Sequence, residues 1–340
     1  MRRPFRIGIS SDFHTQAAGH FESVLDRHFG KEADVEITTL PSIVATPSEL
    51  DECDAVLALA LRINADSVRG VTRPAIVARW GVGYDLLDVP ALSNAAIAIS
   101  ITPAGVRRPV AEAELTMIFA LAKNLFALDR ATRSGRWREG MSLAMDIQGS
   151  VLGSIGCGNI ARELFRLARP LGFSRLLACD PNVRAADLDL PGVELVDFET
   201  LLRESDFVTI NALLTSETSG LIGEAQLRAM KPTAFLVNLA RGPIVNHEVL
   251  VRALREKWIA GAGIDVFPQE PPPPDDPLFA LDNVIVTPHA LAWTNAIMRG
   301  NGDEACKHIR SVMRGELPGD VVNREVLQDA KFLAKLERYR

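Results

Sequence analysis

The sequence predicts an α/β protein built as two doubly wound, mostly parallel sheets with a cleft between them. Three observations carry that prediction. The chain has 340 residues, more than one ordinary core accommodates, so its length points to about two domains. Short apolar runs alternate with helical stretches along the whole chain, the pattern of parallel strands joined by crossover helices. One of those runs ends in a glycine turn that opens a helix, Gly156-x-Gly158-x-x-Ala161.

Taken in order, Phe5–Ile9 reads as the first strand, and a helix follows around His20–Phe29. Val35–Ile37, Ala55–Ala60, Ala75–Arg79 and Ala98–Ser100 recur as strands of one small open sheet. A long, buried helix is predicted from Pro109 to Leu128, because proline suits the first turn, where its missing N–H has no intrahelical partner. A polar, arginine-rich stretch, Arg130–Glu139, precedes the glycine turn. From Ser150 the pattern becomes regular. Strands are predicted at Val151–Ile155, Leu176–Cys179, Val193–Val196, Phe207–Ile210, Ala234–Asn238, Ala262–Ile264 and Val284–Val286.

Pro271–Pro274 is a stiff surface loop. After Trp293 a helix runs to about Arg314, and a charged helical tail follows. The helices near Pro109 and after Trp293 are the natural crossing points, so the C-terminal segment is expected to rejoin the first sheet. The expected division is 1–103 with 297–340, flavodoxin-like and substrate-binding, and 104–296, Rossmann-like and nucleotide-binding.

Composition excludes several classes of partner. The net charge is −6, from 37 basic and 43 acidic residues, which argues against a nucleic-acid surface. No run approaches the roughly eighteen apolar residues of a membrane span, and the start MRRPFRIGISSD lacks the apolar stretch of a signal peptide. Cys53, Cys157, Cys179 and Cys306 stand singly, without CxxC or zinc spacing. They read as reduced thiols of a cytoplasmic protein, with no metal site. A small molecule is the expected partner.

Between Val151–Ile155 and the helix that starts at Ile160, the chain must turn sharply and approach a pyrophosphate without Cβ atoms in the way. Gly156 and Gly158 allow this, Ala161 keeps helix and strand close, and the helix N-terminus offers N–H groups to phosphate. Asp180 ends the next strand, placed to accept the ribose hydroxyls and to repel a 2′-phosphate, which favours NAD over NADP; Arg184 nearby weakens that preference. Many other α/β proteins carry a Gly-x-Gly turn, but here strand, helix and carboxylate coincide. Cys157 sits inside the turn, where any small apolar residue fits.

Downstream, His289 follows Val284–Val286 at a strand end, the side of a doubly wound sheet that binds ligands. An imidazole there gives and takes a proton near neutral pH. A lone histidine is more often a buried structural one. Glu270 shifts the balance, since a neighbouring carboxylate favours the protonated, donating ring. Arg241, just past Ala234–Asn238, suits a bidentate clamp on a carboxylate.

These blocks resemble the D-isomer-specific 2-hydroxyacid dehydrogenases. The resemblance runs from about Ala78 to Asn323 and rests on four blocks: Gly149–Ile160, Leu236–Asn246 around the arginine, Gly263–Pro271 around the glutamate, and Thr287-Pro-His289. It implies NAD-dependent interconversion of a D-2-hydroxy acid and its 2-oxo acid. In that scheme Arg241 holds and polarises the substrate, His289 is the acid/base and Glu270 tunes it. Cofactor contacts are implied at Gly156, Cys157, Gly158, Asn159, Ile160, Asp180, Asn211, Thr215, Leu239, Ala240, Asp265 and His289. Asp265 would take the nicotinamide carboxamide. The loop Trp80-Gly81-Val82-Gly83 resembles the family's substrate loop, with the N–H groups of Val82 and Gly83 receiving a carboxylate.

Arg107, Arg108 and Trp293 are further substrate candidates; solvated loop charge and plain packing are the bland readings. Asn211-Ala-Leu213 departs from the family's His-x-Pro, and Ala290-Leu-Ala-Trp293 from its Ile-Gly-Gly. The apolar helix from Pro109 resembles the family's dimer helix and implies a homodimer. Two alternatives share the fold: a phosphite- or formate-type dehydrogenase, and an NADH-sensing scaffold like the C-terminal-binding-protein corepressors.

Overall fold

The structure, a computed structural model, describes residues 3–340 apart from the side chain of Asp187; Met1 and Arg2, the start of the segment read above as lacking a signal peptide, lie outside the described residues. The chain forms two compact units, Met1–Val106 with Trp293–Arg340, and Arg107–Ala292.

In the first unit, β1 (Phe5–Ser10), β2 (Val35–Leu40), β3 (Ala55–Ala58), β4 (Ile76–Arg79) and β5 (Ala98–Ser100) form a parallel sheet of order β2-β1-β3-β4-β5. Apolar residues cover both faces. Phe13, Phe21, Ile309 and Phe332 lie in the core of one side, and Leu50, Ile63 and Leu92 in that of the other. A strand so covered must be apolar throughout, and every residue of β3 is buried.

The C-terminal tail is bonded into this unit. Lys335, buried on the helix Ala330–Glu337, donates to the carbonyls of Pro74, Ala95 and Ala96 at 2.8, 2.8 and 3.0 Å. The Tyr339 hydroxyl donates to Asp54 at 3.0 Å, and Arg73 grips the same carboxylate through two bonds of 2.9 and 2.7 Å.

In the second unit, β6 (Val151–Ile155), β7 (Arg175–Cys179), β8 (Val193–Leu195), β9 (Phe207–Ile210), β10 (Phe235–Asn238), β11 (Gly261–Ile264) and β12 (Val284–Val286) form a parallel sheet of order β12-β11-β10-β9-β6-β7-β8. The order reverses between β6 and β9, which creates the crevice where such sheets bind ligands.

The expected helix from Pro109 to Leu128 needs correction. One helix spans Pro103–Ala122 with Pro109 inside it, and a second spans Leu125–Arg133, taking in the start of the arginine-rich stretch. Pro103 holds the first-turn position, and Glu304 accepts the N–H groups of Ala104 and Gly105 at 3.1 and 3.4 Å. Pro109 leaves the Gly105 carbonyl without its helical donor, a cost the buried helix tolerates. The break falls at Asn124, whose φ of 51° is left-handed.

Burial pushes the Lys335 ammonium down to about 8, against about 10.4 in an unfolded chain. Between those values the unfolded chain holds the proton and the folded one does not, so this group makes stability rise with pH there. Lys335→Met is therefore expected to flatten the rise of melting temperature from about pH 8 to 10. Equal slopes in the two proteins would contradict the assignment.

Candidate active site

The glycine turn lies at the sheet's switch point. β6 pairs with β7 on one side and β9 on the other, and the chain leaves it through Gly156 at φ 95°. A Cβ at Gly156 would fall 2.5 Å from the Asn211 carbonyl oxygen, so neighbour and backbone angle both require glycine. Gly158 meets nothing within 4 Å, and open space lies where its side chain would be. No side chain caps the helix Asn159–Ala168, so N–H groups of its first turn, at Asn159 and Ile160, are available to an anion.

Asp180 is fixed just past β7. One oxygen accepts the Cys157 N–H at 2.8 Å and the other the Asn182 N–H at 2.9 Å. The Cys157 N–H is thus bonded to Asp180, and its thiol is buried, which raises its pKa above the ordinary thiol range. Asn211 buttresses the turn. Its amide donates to Ser154 Oγ at 3.1 Å and Thr209 Oγ1 at 3.3 Å, while Ser154 bonds the Gly156 carbonyl at 2.8 Å. Thr215 organises its own exposed loop, its hydroxyl accepting from the N–H groups of Glu217 and Thr218.

The second group gathers beyond β10, β11 and β12. Asn238, at the end of β10, folds the next turn by donating to the Arg241 carbonyl and accepting the Ala240 N–H, both at 3.0 Å. Leu239 is buried beneath that turn, and Arg241 Nη1 donates to the Ala240 carbonyl at 2.7 Å. Gly242 then passes directly against Phe267, where a Cβ would lie 2.0 Å from the carbonyl carbon. That contact sets the arginine's segment on the glutamate's.

Glu270 accepts the Phe267 N–H at 3.0 Å with one oxygen and meets His289 Nδ1 at 2.8 Å with the other. Burial pushes its pKa up, but the hydrogen bond and charge of His289, the Phe267 N–H and the charge of Arg241 outweigh it, and Glu270 titrates below the ordinary glutamate range. His289 itself stands at φ 53°, a conformation that costs a β-carbon-bearing residue about 1–3 kcal/mol. The turn is held by Asp265, 3% exposed. Its Oδ1 accepts from the Thr287 hydroxyl at 2.5 Å and from the N–H groups of Ala290 and Leu291 at 3.2 and 3.3 Å. Burial raises the Asp265 pKa above its usual value, against these bonds and the charge of His289.

In the first unit, the Trp80 side chain lies in the core. The ring is 3% exposed and packs edge-on to Phe13 at 5.0 Å, within the core. Gly81 exchanges two hydrogen bonds with Thr102, at 2.8 and 3.0 Å. Among the described residues, the N–H groups of Val82 and Gly83 have no protein acceptor. The Arg108 guanidinium pairs with Glu112 at 2.5 Å and Glu163 at 3.3 Å. Arg107 keeps its Nε buried and without an acceptor, and Trp293 is 44% exposed. Sequence reading missed Asn238, Thr102 and Ser154, the residues that shape these turns; a short polar residue at a strand end was their only signal.

A separate trio in the first unit, Glu304, His308 and Asp320, brings three potential ligand atoms within 4.8 Å. The Gly319 N–H donates to His308 Nδ1 at 3.2 Å, so the neutral ring carries its hydrogen on Nε2 and has no lone pair there for a cation.

A family profile described as "D-isomer specific 2-hydroxyacid dehydrogenase, NAD binding domain" matches residues 115–290. The chain is 38% identical to a glyoxylate reductase of Korarchaeum cryptofilum over 294 residues, 85% of this chain and 88% of that one. It is 37% identical to a glyoxylate reductase of Thermococcus gammatolerans over 315 residues, 91% and 94% of the two chains. A solved glyoxylate reductase from Paecilomyes thermophila superposes with a TM-score of 0.82 at 26% identity, covering 96% of this chain and all of that one.

The two glycines are expected to respond differently. Gly156→Ala should lower the melting temperature and NADH affinity together, because the clash is with the protein's own backbone. Gly158→Ala should melt within about 2 °C of the parent and lose NADH affinity alone, read by fluorescence titration. Equal losses of stability would refute the distinction.

Proposed function

The chain belongs to the D-isomer specific 2-hydroxyacid dehydrogenases and interconverts 2-hydroxy and 2-oxo acids with a nicotinamide cofactor, and we propose that Arg241, Glu270 and His289 carry that chemistry. The observation that carries the proposal is the 2.8 Å contact between His289 Nδ1 and Glu270. Glu270 is ionised at neutral pH and can only accept, so it takes the Nδ1 hydrogen and leaves Nε2 as the ring's working nitrogen. His289 is partly exposed, within reach of a solute.

In the direction of reduction, Arg241 draws electron density toward the ketone oxygen of the bound acid. Val82 and Gly83 offer N–H groups to its carboxylate. A dinucleotide held by its pyrophosphate at the glycine turn, with its carboxamide at Asp265, would supply the hydride to C2. Imidazolium Nε2 gives its proton to the developing alkoxide, and Glu270 stabilises the charged ring until that transfer. In oxidation the neutral ring takes the hydroxyl proton back.

The glycine turn, the uncapped helix and Asp180 suit a dinucleotide pyrophosphate and ribose. We assign NAD in preference to NADP because the fixed Asp180 carboxylate repels a 2′-phosphate. Asp265 is assigned to the carboxamide: Oδ1 is occupied within the turn, while Oδ2 makes no protein hydrogen bond among the described residues. Ala240, beside Arg241, and the exposed Trp293 complete the assignment as cofactor and substrate neighbours. The substrate is a small 2-oxo acid such as glyoxylate, which the similarity to glyoxylate reductases supports.

A homodimer fits the apolar side chains Phe119, Leu125 and Phe126, exposed around a groove of about 490 Å³ on the helices Pro103–Ala122 and Leu125–Arg133. Free thiols at all four cysteines suit the cytoplasm. No helix among the described residues is long and apolar enough to cross a membrane.

With glyoxylate and NADH, His289→Gln should lower kcat about a hundredfold or more while leaving NADH affinity within twofold. Retention of most turnover would remove His289 from the acid/base role. Glu270→Gln should lower kcat about tenfold or more while leaving NADH affinity within twofold, since a neutral amide does not stabilise the charged ring. A kcat equal to the parent's would assign Glu270 to structure alone.

A further inference from the structure

The loop after β4 is held from beneath by a side chain to which nothing so far gives a role. Arg79 is the last residue of β4. Its Nε donates to the Gly83 carbonyl at 2.7 Å, and its Nη1 to the carbonyls of Trp80 at 2.9 Å and Ala58 at 3.2 Å. One half-buried guanidinium thus joins both ends of the loop Trp80–Gly83 to the end of β3.

The loop's other inward bonds complete the frame. The Trp80 N–H donates to Ala58, and the Gly81 carbonyl accepts from the Thr102 N–H at 3.0 Å. In a trans peptide the N–H points opposite to the preceding carbonyl. With the Gly81 carbonyl turned to Thr102, the Val82 N–H is turned away from it; with the Gly83 carbonyl turned to Arg79, the Tyr84 N–H is turned away in the same manner. Carbonyls of the loop are drawn to the protein, and the N–H groups of Val82 and Gly83 are left without protein acceptors. Successive N–H groups of that kind form an anion-binding concavity, and a guanidinium keeps its charge at every working pH.

We propose that Arg79 is a positioning residue for substrate: it fixes the loop Trp80–Gly83 so that its N–H groups form the carboxylate receptor. This rests on the reading of the chain as an enzyme whose loop receives the acid's carboxylate. Lysine is a poor substitute, since a single ammonium does not reproduce the fork that spans Gly83, Trp80 and Ala58.

The test uses the full-length protein with NADH and two probes, glyoxylate for turnover and oxamate, a 2-oxo acid analogue that takes no hydride, for binding. Arg79→Gln should raise the oxamate dissociation constant and the glyoxylate KM about tenfold or more, with kcat at saturation within threefold and NADH affinity unchanged. Arg79→Lys, the safer variant for folding, should raise both constants at least threefold. Wild-type oxamate affinity in a folded Arg79 variant overturns the inference and leaves the enzyme reading intact. A parallel loss of NADH affinity, kcat and melting temperature also overturns it, by showing a general structural role. Failure of the unmodified protein to bind oxamate or reduce any 2-oxo acid overturns the enzyme reading and this inference with it.

Discussion

The second unit's polar chemistry depends on one buried carboxylate. Asp265 gathers the Thr287 hydroxyl and the N–H groups of Ala290 and Leu291 onto a single oxygen. Those bonds bracket His289 in sequence and hold it at positive φ. Without them the backbone would relax toward ordinary φ values, and the imidazole would no longer meet Glu270 at 2.8 Å. The cost of burying Asp265, seen in its raised pKa, is matched by the His289 side chain held in a strained, reproducible pose. Asp265 therefore also shapes the pairing of His289 with Glu270.

The parallel sheet makes this arrangement possible. β10, β11 and β12 are consecutive neighbours running the same way, so the loops carrying Arg241, Glu270 and His289 emerge on one side although 48 positions separate the first from the last. Gly242 permits the near-contact with Phe267 that brings the first two loops together. Across the switch point, β6 and β7 send the glycine turn and Asp180 out of the same sheet. The glycine turn and the loops of Arg241, Glu270 and His289 thus share a single sheet, the kind of frame that holds groups to fractions of an ångström.

Much of this was legible in the sequence, and the exceptions share a cause. Strands such as Val151–Ile155, Phe207–Ile210 and Val284–Val286 stand where their apolar runs predict, because burial on both faces demands such runs. Ser154, Asn211 and Asp180 meet around the glycine turn through long-range pairing, and only the glycines and the aspartate announce themselves locally. The helix from Pro103 was misplaced because Pro109 carries the same local signal, while the decisive cap, Glu304, lies some 200 residues away. Trp80 read as a loop residue, yet its ring fills the core beside Phe13. Arg108 read as a substrate candidate or a solvated loop charge, and Glu163 reaches it from another helix. Propensity and spacing describe neighbours along the chain, and these outcomes were set by neighbours in space.

The charge distribution explains how an acidic protein can take an anionic substrate. A net charge of −6 supplies no long-range attraction for a carboxylate, and at physiological salt fields beyond about 8 Å are largely screened. Attraction must come from local groups whose own partners leave capacity for a ligand. In the second unit Arg241 lies close enough to Glu270 to depress its pKa, which keeps that carboxylate ionised and available to His289. In the first, Arg79 directs donors to the backbone carbonyls of Gly83, Trp80 and Ala58. Those contacts hold the loop's carbonyls inward, a use of a guanidinium that differs from the pairing of Arg108 with Glu112 and Glu163.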